Sequence, residues 1–206
     1  MQRRKTNLIL AAILIILLGL VFLSIDLYSS YQKSKEEKEN LANFFDNFSL
    51  NIDRINNLKK LNPQNSSSNS QITSYIAVLE IPKINIKQGL VKQSSTLNDV
   101  NKNIEILNGS MPNHQNSNLI LASHSGTSPV SYFNNLHLLN KNDKIFIYYN
   151  HHKYHYKVIK KYEIPKNGKL RVASYPNETL LTLTTCSTTS NNQLVVIAKQ
   201  IAKQIS

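Results

Sequence analysis

The sequence predicts a mainly β domain, a barrel or a sandwich, carried behind an N-terminal membrane anchor. Three observations point there. Six short runs rich in β-branched and aromatic residues lie between residue 75 and the C-terminus, with little helical pattern between them. An uncharged stretch from Leu8 to Ile25 follows a basic cluster. A Pro-opened, Asn/Ser-rich segment separates the anchor region from the strands.

The anchor comes first. "LILAAILIILLGLVFLSI" gives about 18 uncharged residues, the length of a membrane-spanning helix. Arg3, Arg4 and Lys5 stand directly before it, and basic residues stay in the cytoplasm, so the rest of the chain is expected outside. A cleaved signal peptide would show a shorter apolar run and a small-residue cleavage site, and "SIDLYSS" offers no such site. A core helix of a soluble domain would show polar positions at helical spacing, and none occur here. The expected organisation is a cytoplasmic basic N-terminus at 1–7, an uncleaved single-pass anchor at 8–27, a stalk and linker at 28–74 and an extracellular domain at 75–206.

Within the stalk, Leu41, Phe44, Phe45, Phe48, Ile52, Ile55, Leu58 and Leu61 recur every three or four residues, which makes one apolar stripe on a helix. Such a stripe can pack on the domain, on the membrane surface or on a second copy. "NPQNSSSNSQITS" from Asn62 to Ser74 cannot bury a core and reads as a linker.

The strand runs are 75–82, 118–123, 144–150, 153–164, 180–185 and 193–198, with a hairpin expected at the "HH" between the third and fourth. Residues 74 to 206 hold 15 basic and 6 acidic side chains, so the domain is basic in its own right. A basic face suits nucleic acid, anionic lipid or a wall polyanion; an exported domain excludes nucleic acid as the partner.

Cys186 is the only cysteine. A lone thiol is commonly a small buried hydrophobe, yet exported cysteines are usually paired in disulfides and this one has no partner in the chain. It also ends the run "LLTLTTC", at the border of sheet and loop. These features point to a reactive thiol, and such a thiol needs a base, because an ordinary one is mostly protonated at neutral pH. Of the six histidines, His151, His152 and His155 belong to a basic Tyr-rich hairpin and are expected in solvent, while His114 and His137 have polar or loop-like surroundings. His124 is delivered by the apolar run of "NLILASHSG" into a Ser/Gly segment, where a rigid strand presents a side chain. No metal-ligand spacing and no acidic cluster is seen, so neither a metal nor a cofactor is expected.

Together "VLEIPKINI", "NGSMPNHQNSNLILASH" and "LTLTTC" followed by a loop and "QLVVIAK" resemble the sortases, membrane-anchored cysteine transpeptidases of Gram-positive bacteria. The resemblance covers about residues 75 to 201. It implies a closed β-barrel of about eight strands with short helices behind an N-terminal transmembrane helix. It further implies that Cys186 attacks a sorting motif of the L-P-x-T-G kind, giving a thioacyl enzyme, with His124 moving protons to and from the amines. The implied partners are secreted proteins with C-terminal sorting signals and an amine on a cell-wall precursor or a pilin. Ser123, Thr184 and Thr185 are the implied groove residues.

One position departs from the family pattern. Where the family has an arginine that holds the oxyanion or the substrate backbone, this chain has Gln193, which donates hydrogen bonds without charge. Arg171, the only arginine of the domain, is a second candidate for that role. Three readings follow: an active transpeptidase, a weakened relative that binds sorting signals, and a basic β-domain that binds wall polyanions with the cysteine incidental.

Overall fold

A computed structural model describes residues 2–57, 75–166, 175 and 177–205. The chain forms two compact units, 1–39 and 40–206. Helix α1 runs from Gln2 to Asn57. Among its described residues, Ile13–Ser49 contains an 18-residue window of mean hydropathy 2.2 with none of it buried, long and apolar enough to cross a membrane.

In the second unit eight strands follow in order: β1 (Ala77–Ile81), β2 (Ile86–Leu90), β3 (Glu105–Asn108), β4 (Asn118–Ala122), β5 (Lys144–Tyr149), β6 (His152–Pro165), β7 (Leu180–Cys186) and β8 (Asn192–Ile205). They make one sheet in the order β2-β1-β5-β6-β8-β7-β4-β3, curled into a nearly closed barrel. All pairings are antiparallel except β4 with β7. Period-two alternation fills the interior: Leu79, Leu119, Leu121, Ile145, Ile147, Tyr154, Tyr156, Leu181, Leu183 and Val196 are all almost fully buried in one cluster.

Strands β2 and β3 are the free edges of the sheet, and side chains bridge them. Gln88 Nε2 donates to Asn103 Oδ1 at 3.1 Å, and Asn103 Nδ2 donates to the Gly89 carbonyl at 3.1 Å. Both side chains are buried, so the seam is dry and each bond replaces one to water. Asn103→Ala strips partners from buried groups on both sides of the seam. The expected loss is ~1–3 kcal/mol for each group left unpaired, read as a lowered midpoint in urea unfolding of the chain. An unchanged midpoint would show that the seam is wet.

The described part of the stalk's apolar stripe meets the domain through Phe45 and Phe48, while Leu58, Leu61 and the linker at 62–74 lie outside the described residues. Phe45 and Phe48 stand edge-on to Tyr148 of β5 at 5.0 and 5.8 Å between ring centres, and Lys87 Nζ lies 4.2 Å from the Phe45 ring centre. Phe48 is buried. The Tyr148 hydroxyl donates to Glu80 at 2.6 Å, and this burial and bond push its pKa up.

The strands differ from expectation in two places. β2 and β3 were not expected: "IKQGL" carries Lys, Gln and Gly, and "EILN" has four residues, so neither shows a β-branched run. The hairpin turn is Asn150-His151, one residue earlier than "HH", since both have positive φ (47° and 60°) as a type I′ turn requires. The hairpin histidines are also not solvated. His151 packs on Phe48 at 5.9 Å and His155 stands edge-on to Phe146 at 4.9 Å, each half-buried.

Candidate active site

The parallel pairing of β4 with β7 sets the site. Ala122 pairs with Thr184, and beyond the strand end the Ser123 N–H still donates to the Thr184 carbonyl at 3.3 Å. The two strands therefore leave the sheet in step. Continuing that register by two residues places His124 across from Cys186. On the other side of β7, Cys186 pairs with Gln193 in the antiparallel ladder, and Gln193 pairs with Ile164 of β6. Cys186 and Gln193 are thus paired at the end of β7, and the chain that carries His124 leaves β4 alongside them, held by the Thr185 and Ser125 hydroxyls.

Alternation decides which face the pair occupies. Leu181 and Leu183 point into the barrel, so Thr182, Thr184 and Cys186 point outward, with Gln193, Val195 and Ile197 beside them. On that outer face Leu180, Val195 and Ile197 form a second buried cluster, with Ile159, Tyr162 and Ile164 packed against it. The thiol is half-buried at the rim of this second core.

The surrounding hydroxyls brace the two strand exits. Thr185 Oγ1 donates to the Ser123 carbonyl at 2.8 Å, Ser125 Oγ to the Cys186 carbonyl at 2.8 Å, and Thr184 Oγ1 to the Leu194 carbonyl at 3.2 Å. Ser123 Oγ donates to the Val130 carbonyl at 3.2 Å. Ser123, Thr184 and Thr185, expected in the substrate groove, are buried and their hydroxyls are engaged on backbone oxygens. Arg171 lies outside the described residues.

Two residues that the sequence did not single out for this role meet His124. Its Nε2 lies 3.1 Å from Asn101 Oδ1. Asp99 Oδ1 accepts from both the N–H of Asn101 (2.8 Å) and its Nδ2 (2.9 Å), which turns the amide so that its oxygen faces the imidazole. The imidazole then donates from Nε2, and Nδ1 is left for other work. The backbone N–H of Asn101, its side chain, and the nearby Lys102 and His124 hold the Asp99 carboxyl below its usual value despite some desolvation.

A barrel with a half-buried thiol at the end of β7 and a histidine two residues beyond the end of its parallel neighbour β4 offers a candidate thiol-enzyme site. The comparisons narrow it. The family model of the sortase domain matches residues 79–201, more than half of the chain. The chain belongs to the sortase family, whose members are cysteine transpeptidases.

Solved structures share the fold. The chain is similar to a sortase D5 transpeptidase of Clostridium perfringens, with 23% identity and a TM-score of 0.59 over 82% of this chain and 99% of that one. It is similar to sortase A of Corynebacterium diphtheriae at 22% identity and a TM-score of 0.56, covering 72% of this chain and 68% of that one. Sortase A of Listeria monocytogenes is 17% identical with a TM-score of 0.53, covering 63% and 89%. No curated protein sequence matches the chain.

Proposed function

We propose that this chain is a membrane-anchored transpeptidase that cuts an L-P-x-T-G-like sorting signal and joins the new carboxyl end to an amine of the cell wall or of a pilin. The observation that supports the reading is the pairing of Cys186 with Gln193 at the end of β7, beside the point where the chain leaves the parallel strand β4 toward His124. In this reading the Cys186 thiolate attacks the threonine carbonyl of the signal. The peptide bond to the next residue breaks as His124 gives its proton to the leaving amine, and a thioester remains on Cys186. An incoming amine attacks that thioester and passes a proton to His124. The thiolate leaves, and one peptide or isopeptide bond has replaced another with no net hydrolysis.

Gln193 faces the same side of the sheet as the thiol and takes the arginine's place as a hydrogen-bond donor to the developing oxyanion. The apolar part of α1 holds the enzyme at the membrane, with the barrel outside the cell.

Intact-protein mass spectrometry tests the reading. The full chain in detergent is mixed with a panel of L-P-x-T-G-like peptides, without an acceptor amine. One peptide is expected to leave an adduct with the mass of its acyl half, which disappears when an amine is added. No adduct from any peptide, with the thiol intact, would remove the assignment.

Asn101 gives a second check. With the amide gone the imidazole loses its fixed orientation, and Asn101→Ala is expected to lower kcat by about tenfold. A kcat equal to wild type would show that Asn101 does not orient this histidine.

A further inference from the structure

The geometry points to Glu163 as the positioning residue that keeps Gln193 opposite the thiol, acting through the loop that joins β7 to β8. The inference rests on the transpeptidase reading above for its catalytic consequence, and on hydrogen bonds alone for its structural half.

The loop is short and its own sequence does not fix it. Ser187 to Asn191 lie between Cys186 and the β8 pair that holds Gln193, and the residues are Ser, Thr, Thr, Ser and Asn, with no proline or glycine to set a turn. What grips it comes from β6. Glu163 Oε1 accepts from Ser187 Oγ at 2.7 Å, and Oε2 accepts from Ser190 Oγ at 2.7 Å and Asn192 Nδ2 at 3.0 Å. One carboxylate therefore touches the first residue of the loop, its far side and its exit. The Ser187 N–H donates to the Asn192 carbonyl at 2.8 Å and closes the neck, while Thr189 bonds back to Ser187 within the loop.

Register connects this clasp to the chemistry. Glu163 pairs with Leu194 and the next residue, Ile164, pairs with Gln193, which pairs with Cys186. A slip of one residue in β8 would turn Gln193 to the inner face of the sheet, away from the thiol. The clasp spans the end of the β8 ladder nearest Gln193. Only an acceptor-only group takes three donors at once without turning a donor against them, and an ionised carboxylate is that group. Ser190, Ser187 and Asn192, in that order, hold the Glu163 carboxyl below its usual value.

Four variants of the full chain in detergent test this: Glu163→Ala, Glu163→Gln, Gln193→Ala and the Glu163→Ala/Gln193→Ala pair. Glu163→Ala is expected to lower kcat by about tenfold with KM for the peptide within about twofold, because the groove is intact and the oxyanion donor is not. Glu163→Gln should stay within about threefold of wild type, since serine hydroxyls can reverse and accept from an amide. The pair should be no slower than Gln193→Ala alone, because a residue that acts only through Gln193 has nothing left to act on. A Glu163→Ala rate equal to wild type, or losses that multiply in the pair, would overturn the assignment.

Hydrogen exchange separates the two layers. Amides of residues 187–194 are expected to exchange about tenfold faster in Glu163→Ala, with β4 and β5 unchanged. Unchanged exchange in the loop defeats the clasp whatever the activity shows. A wild type that forms no thioacyl adduct defeats the catalytic consequence together with the transpeptidase reading, and the exchange result then judges the clasp by itself.

Discussion

Cys186→Ala is expected to abolish acyl transfer altogether, while the variant folds with the stability of the wild type. The thiol is the group that forms the stable acyl adduct in this reading, and neither the imidazole of His124 nor the amide of Gln193 supplies a thioester in its place. The fold should tolerate the change, because Cys186 ends β7, is half-buried, and uses its backbone carbonyl, not its sulfur, to hold Ser125. The measurement pairs the mass-spectrometric adduct with thermal unfolding. A variant that keeps turning over peptide would show that another group is the nucleophile and remove Cys186 from the mechanism. Loss of both adduct and folded structure would make the cysteine a packing residue.

The second large effect sits at Gln193, and it runs in both directions. Losing one oxyanion donor typically costs ~100- to 1000-fold in rate, so Gln193→Leu should fall by about that much if the amide is the working donor. Gln193→Arg adds a charged, forked donor at a position already in register with the thiol, and kcat should rise. Single-turnover rates of adduct formation decide between an active enzyme and a weakened relative. A fall with leucine and a small gain with arginine mark glutamine as a competent replacement. No fall with leucine but a large gain with arginine would mark a chain that binds sorting signals more than it joins them.

The sequence made some of this visible through side-chain pattern. β1, β4, β5, β6, β7 and β8 are β-branched or aromatic runs, and two of them end at His124 and Cys186, which is why the strand exits could be read as one mouth. β2 and β3 escaped because a polar edge strand and a four-residue strand have too few apolar positions to show a period. The supports of the site escaped for another reason. Asn101 reaches His124 across 23 residues, and Glu163 reaches Ser187, Ser190 and Asn192 across 24 to 29. Such bonds depend on how the strands are ordered, and local pattern carries no record of that order. His151 shows the same limit, since a histidine in a basic hairpin looks exposed until a helix from far upstream packs on it.

The aromatic contact of α1 with β5 makes the end of the helix part of the barrel's own body. Residues 40–57 belong to the same compact unit as the barrel, with Phe45 and Phe48 against Tyr148. At the start of the barrel the Tyr75 ring covers Gly89 so closely that any side chain there would collide with it. A domain cut to begin at residue 75 would therefore lose Phe45 and Phe48 and uncover the Tyr148 ring that they cover.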